Sequence, residues 1–128
     1  MNRAELIAYI AEQYGVTPDS PWADSPEYEV FRHGGSRKWF ALIMNIPRAK
    51  LDPAGEGNID VVNLKCDTTL IGSLTRERGV FHAWHMSKAH WITVALDGSA
   101  DAELIKMLLD ASFFLTAPKR RQPKGSKK

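Results

Sequence analysis

Cysteine is nearly absent: Cys66 is the single one in 128 residues. That excludes an intrachain disulfide and any zinc site built on paired cysteines. No apolar run approaches the roughly 20 residues that a membrane helix needs. The N-terminal MNRAELIAYIAEQYG interleaves Arg3, Glu5, Glu12 and Gln13 with its apolar residues. It reads as neither a signal peptide nor a span, and a cytoplasmic location is expected. Walker A and Rossmann glycine patterns are missing, as is any G-x-S-x-G elbow. No strict repeat of about 20 to 50 residues runs through the chain. What is left is one ordinary globular domain, 44% hydrophobic and 25% charged, long enough to hold a core without staples.

Charge is unevenly spread. The formal charge of +2 conceals residues 119–128, KRRQPKGSKK, which hold six Lys or Arg and no acid. Without them, 11 bases face 15 acids, a body charge of −4. A single domain is therefore expected over residues 1–118, followed by a disordered basic tail. Such a tail either adds sequence-independent attraction to phosphate or simply keeps the chain soluble.

Asn2 followed by Glu5 is a capping-box signature, and Leu6, Ile7, Ile10 and Tyr14 then repeat at helical spacing until Gly15. TPDSPWADSPEYEV carries three prolines and reads as an extended, turn-rich connection. Val30 and Phe31 open a strand that breaks at His33-Gly34-Gly35-Ser36, and KWFALIMNI follows as its hairpin partner. The two glycines are expected to supply positive φ there. IDVVNLKC is a third strand, and Asp67 should cap a helix with Leu70, Ile71 and Leu74 on one face, ending at Gly79. Phe81–Trp84 and Trp91–Leu96 read as a second hairpin. A last helix is expected from about Asp101 to Thr116, with Leu104, Ile105, Leu108, Leu109 and Leu115 on its core side. This order implies an α+β fold, an antiparallel sheet with helices packed on one face.

HAWHMSKAHW, residues 82–91, concentrates three histidines. A metal site needs three or four converging ligands, but the step from His82 to His85 puts them on opposite faces of a strand. His85 and His90 give two ligands at most. A histidine-assisted hydrolase needs a nucleophile and an orienting acid, and Ser87 and Asp97 lie nearby with no motif around them. Cys66 ends a strand just before a helix N-terminus, where a thiol pKa can fall; a cysteine in that setting also serves as small buried filler. No catalytic residue, metal or cofactor is implied, and a non-enzymatic protein is expected.

The cations offer more. Arg32, Arg37 and Lys38 surround the first hairpin tip, Lys88 and His90 the second, and Lys65 ends the third strand. Hairpins with Lys and Arg at their tips can grip phosphates or enter a nucleic-acid groove. The negative body requires any such grip to rest on local clustering. A different class of function, recognition of a small molecule or a protein, would use a pocket near Trp22, Tyr28, His85 and His90. Stacking on bases is within the reach of Trp22, Trp39, Trp84 and Trp91, but in a domain this small all four are first of all core or rim packing. Trp39 and Trp91 each begin an apolar strand, which favours packing roles.

PWADSPEYEVFRH, RKWFALIMNI, IDVVNLKCD and HMSKAHWITVALDG, in that order over roughly residues 16–116, resemble the MmcQ/YjbR family. Matching positions include Trp22, Tyr28, Arg32, Lys38, Trp39, Lys65, Cys66, His85, Met86, Lys88, His90 and Trp91. The resemblance implies a compact fold like that of the bacterial frataxin homologue CyaY, and DNA binding through a double wing of two hairpin-like projections. Joined to the cation positions, it makes Arg32, Arg37, Lys38, Lys65, Lys88 and His90 the expected contacts and DNA the expected partner. His82 and the basic tail fall outside the shared pattern and inherit no role. Frataxins bind iron through an acidic first helix; here that helix holds only Glu5 and Glu12, offset by Arg3, so iron is not carried over.

Overall fold

The computed structural model describes residues 1–118; the basic segment 119–128 lies outside the described residues. Within them the order is α1 (Arg3–Tyr14), β1 (Glu29–Arg32), β2 (Trp39–Pro47), β3 (Asn58–Lys65), α2 (Ile71–Leu74), β4 (Val80–His82), β5 (Trp91–Ala95) and α3 (Ala102–Thr116). α1 begins where Asn2 and Glu5 exchange side-chain-to-backbone hydrogen bonds, both 2.9 Å, and ends at Gly15 with φ 68°. α3 starts on Asp101, whose carboxylate accepts from the Leu104 amide at 3.1 Å. Among the described residues no helix is long and apolar enough to cross a membrane.

The five strands form one sheet in the order β1-β2-β3-β5-β4, and every neighbouring pair is antiparallel. After β3 the chain moves to the far edge, lays down β4, and returns through β5 to fill the gap. At the other edge Asp19 and Val30 exchange both backbone hydrogen bonds, at 2.9 and 2.8 Å, so the proline-rich connection covers part of β1.

Successive side chains along each strand point to opposite faces. One face, with Ile43, Val62, Leu64, Ile92 and Val94, is covered by Leu6 and Ile10 of α1 and by Ile105, Leu108 and Leu109 of α3. Each fully buried Leu or Ile of this kind contributes ~1.5–3 kcal/mol. Ser112 of α3 adds a polar tie, donating to the Phe40 carbonyl at 2.6 Å and accepting from the Lys65 amide at 2.8 Å. His33 shares a 2.8 Å hydrogen bond with Thr116, and burial pushes its imidazole below the ordinary pKa range. The other face carries Val30, Leu42, Met44, Ile46, Ile59 and Val61 and is roofed by Trp22, Tyr28, Leu51, Trp84 and Met86 from the connecting loops. That helix-free face holds the site described below.

The α+β architecture is as expected; four local features differ. The helix expected from Asp67 to Gly79 is a 3₁₀ turn, Thr68–Leu70, followed by the four-residue α2. Gly72, Ser73 and Thr75 are weak helix formers, and Thr75 Oγ1 donates back to the Ile71 carbonyl at 2.9 Å. Leu70 is consequently half exposed, and Ile71 alone of the expected face is buried. On α3, Leu115 is likewise half exposed, and Ser112 faces the sheet instead. The second hairpin is looser than expected: pairing stops at His82 and resumes at Trp91, leaving 83–90 as a loop. At the first tip, positive φ belongs to Arg37 (64°) rather than to Gly34 or Gly35.

Candidate functional site

A β-bulge shapes the first wall of the site. Phe31 pairs with Ala41 but Arg32 pairs with Trp39, so β2 carries one extra residue, Phe40, at this step. Strict alternation would put Trp39 and Leu42, three residues apart, on opposite faces. With the bulge, Phe40 and Ala41 both enter the helix-side core while Trp39 joins Leu42 on the helix-free face. Arg32 shares that face, its guanidinium 5.8 Å from the Trp39 ring centre.

Trp22 and Tyr28 reach the same place through two consecutive turns. Ser25 donates its amide to the Trp22 carbonyl at 3.1 Å, and Tyr28 donates to Ser25 at 3.0 Å. Trp22 then meets Trp39 edge to face at 5.7 Å and Tyr28 at 6.1 Å, the preferred arrangement for aromatic pairs.

The opposite wall is the 83–90 loop, and two buried polar side chains hold it. Thr93 Oγ1 donates to Asn63 Oδ1 at 2.6 Å and accepts from the Trp84 amide at 2.9 Å. Asn63 Nδ2 donates to the Trp84 carbonyl at 2.9 Å. Both ends of the Trp84 backbone are thus fixed to the sheet. The next residue, His85, lies in the left-handed region at φ 75°, its ring stacked on Trp84 at 4.8 Å. A non-glycine residue there is sparsely populated and persists where surrounding contacts over-determine it.

Between these walls lies a cleft of about 670 Å³. The connection contributes Trp22, Asp24, Ser25 and Tyr28, the sheet Trp39, Leu42 and Trp91, and the loop His85, Met86 and Ser87. Of the pocket residues read from the sequence, Trp22, Tyr28 and His85 line it; His90 is not among its lining residues and is exposed to solvent. On the other side of the loop, Trp84, Lys88, Lys50 and His82 line a smaller hollow of about 250 Å³.

The expected DNA contacts fall into two groups. Arg32 and Arg37 both reach Asp19 Oδ2, at 3.2 and 3.4 Å, with side chains 21% and 62% exposed. Arg32 Nε is buried and lacks an aligned hydrogen-bond acceptor, so its tie to Asp19 is one of charge rather than of a directed bond. Lys38, Lys88 and His90 are exposed. Lys65 is half buried and sits opposite Trp91 across the β3–β5 pair, on the helix-free face.

The catalytic candidates disperse. Cys66 is 5% exposed, and burial, with the neighbouring Asp67, pushes its thiol pKa up rather than down. Burial works against ionisation of Asp97, yet hydrogen bonds from Ser99 and Arg48 hold its carboxyl below the ordinary range. Those partners place it at the opposite end of the sheet face from Ser87. Among the described residues no three of His, Cys, Asp and Glu converge on one point.

The sequence reading missed Asn63, Thr93 and Lys50. Asn63 and Thr93 did leave a signal. Each falls in phase with the apolar residues of its strand, Val61 and Ala95, and a polar residue in that phase must find an internal partner.

The chain is 36% identical over 116 residues to the uncharacterized Bacillus subtilis protein YyaQ, covering 91% of this chain and 98% of that one. A crystal structure of a Pseudomonas syringae protein superposes with a TM-score of 0.89 at 44% identity, covering 91% of this chain and all of the other. A Deinococcus radiodurans structure with a DUF419 domain gives a TM-score of 0.68 at 25% identity, covering 93% of this chain and 81% of that one. The YjbR family profile matches residues 11–115. That span includes the bulge, the aromatic walls, Asn63, Thr93 and the 83–90 loop, and the chain belongs to the YjbR family.

Proposed function

We propose that this chain is a non-enzymatic binding protein whose ligand site is the aromatic cleft on the helix-free face. The observation that carries this reading is the convergence of Trp22, Tyr28, Trp39 and Trp91 around one hollow of about 670 Å³, a size suited to small organic molecules. The bulge that brings Trp39 to this face, the buried Asn63–Thr93 pair and the left-handed His85 all shape the cleft's walls. Flat aromatic walls favour a ligand with a planar or apolar body, and Asp24, Ser25 and Ser87 offer partners for a polar edge. Thermal-shift screening of the full chain against planar aromatic compounds tests this. Binding at 100 times Kd stabilises by about 2.7 kcal/mol, enough for a clear rise in Tm. The rise should vanish in Trp22→Ala. A shift that survives this substitution, or a screen with no shift at all, counts against the cleft.

A second reading is DNA binding through the two hairpin tips. It is favoured by the topology: residues 33–38, the end of β3 and the 83–90 loop all emerge at one end of the sheet. Arg37, Lys38, Lys65, Lys88 and His90 are thereby grouped. The pairing of Arg32 and Arg37 with Asp19 and the body charge of −4 weigh against a strong grip. Fluorescence anisotropy with random duplex DNA at ~50 mM salt tests it. Arg37→Gln with Lys88→Gln should weaken binding and flatten its salt dependence. Binding lost only when the basic residues of 119–128 are replaced would belong to the tail's charge.

A further inference from the structure

Charge divides between the two hollows that flank the loop. Among the described residues, Asp24 is the one carboxylate lining the aromatic cleft, and no Lys or Arg lines it. The smaller hollow, again among the described residues, is lined by Lys50, His82 and Lys88 and by no carboxylate. The loop faces both, giving His85, Met86 and Ser87 to the cleft and Trp84 and Lys88 to the hollow. A phosphate beside Asp24 would meet repulsion, whereas the hollow suits an anion directly. The nearby cations stand outside the cleft lining: Arg32 lies over the Trp39 ring and pairs with Asp19, and Lys65 lies beside Trp91. An uncharged planar ring finds the reverse. A ligand that satisfies both sides carries a flat ring joined to an anion.

Resting on the cleft as the ligand site, we infer that the two hollows together hold an unpaired stretch of single-stranded nucleic acid. A base stacks among Trp22, Trp39 and Trp91, and Asp24 accepts from an exocyclic amine. The neighbouring phosphates cross the loop to Lys50 and Lys88. Lys65, the cross-strand partner of Trp91 on the same face, adds a cation beside the aromatic wall. A duplex satisfies this geometry poorly, because its bases present edges to the grooves and keep their faces stacked on one another. Lys65 and Lys88 are shared with the hairpin-tip reading, whereas Lys50 and His82 are not, so these two separate this site from a grip through the tips.

The test titrates the full chain with a ten-nucleotide deoxyadenosine strand, a hairpin duplex of the same length, and adenosine, following tryptophan fluorescence and anisotropy. The strand should quench tryptophan emission and bind roughly ten-fold or more tighter than the duplex. Ser87→Trp, at an exposed loop position, fills the cleft without removing core packing and should abolish quenching by both strand and adenosine. Lys50→Gln with Lys88→Gln should weaken the strand alone and make its log K against log salt slope shallower by about 1.4. Equal affinity for strand and duplex, or strand binding untouched by Ser87→Trp, overturns the inference. If adenosine or another uncharged planar compound still binds in a Ser87→Trp-sensitive way, the cleft reading stands without it. If nothing binds the cleft, both fall.

Discussion

Thr93 donates its hydroxyl hydrogen bond to Asn63 and accepts one from the Trp84 amide, while Asn63 donates to the Trp84 carbonyl. Removing the Asn63 side chain leaves the Thr93 hydroxyl and the Trp84 carbonyl short of partners in a dry setting. Asn63→Ala is therefore expected to cost about 1–3 kcal/mol in urea denaturation. Combining it with Thr93→Val should cost less than the sum of the two, because the second change removes groups the first left unpaired. His33 gives a pH prediction. Its folded-state pKa lies below the ordinary 6.5 because burial opposes the charged form. As pH falls through that ordinary value the unfolded chain takes up the proton first, so the stability present above it is lost towards the folded pKa. Urea midpoints at pH 7.5 and 5.5 should show this loss, and His33→Gln should shrink it. An unchanged difference would assign the pH dependence to other groups.

At the scale of elements, the β4 entry turn leaves no room for a side chain. Gly79 has φ 81°, and a Cβ there would lie 2.7 Å from the Ala100 amide and 2.8 Å from Ser99 Oγ. Gly79→Ala combines backbone strain with a clash against main chain, so about 1–3 kcal/mol of stability should be lost in thermal melts. Elements set by neighbours in sequence were legible in advance: the Asn2–Glu5 capping box, the stop at Gly15 and the start of α3 at about Asp101 all act within a turn of themselves. Elements set from afar were not. WFALIM is apolar throughout because both faces of β2 are covered, so it lacks the alternation that would reveal a bulge at Phe40. The path of Trp84 depends on Asn63, 21 residues earlier, and on Thr93, nine later. Asp67 does cap a turn as expected, through Thr69 at 2.9 Å, but Gly72 and Ser73 stop it from propagating.

For the whole molecule, the decisive asymmetry is that both long helices cover one sheet face and leave the other to aromatic loops. Trp22 and Tyr28 were named from the sequence for a pocket only as the alternative to packing roles, and the structure gives them both positions, roofing the helix-free face and lining the cleft. Trp39 and Trp91 read as packing because each opens an apolar strand, and only the bulge and the sheet register bring them to the cleft. All four tryptophans lie on or beside this helix-free face, so each indole N–H is a reporter of its own position. Two-dimensional ¹⁵N NMR of the full chain during titration with single-stranded DNA tests the central claim most directly. The account predicts that the indole signals of Trp22, Trp39 and Trp91 shift together and saturate with one affinity. Shifts confined to backbone amides of the tips, such as Gly34, Gly35 and Lys88, with those indole signals unmoved, would contradict it.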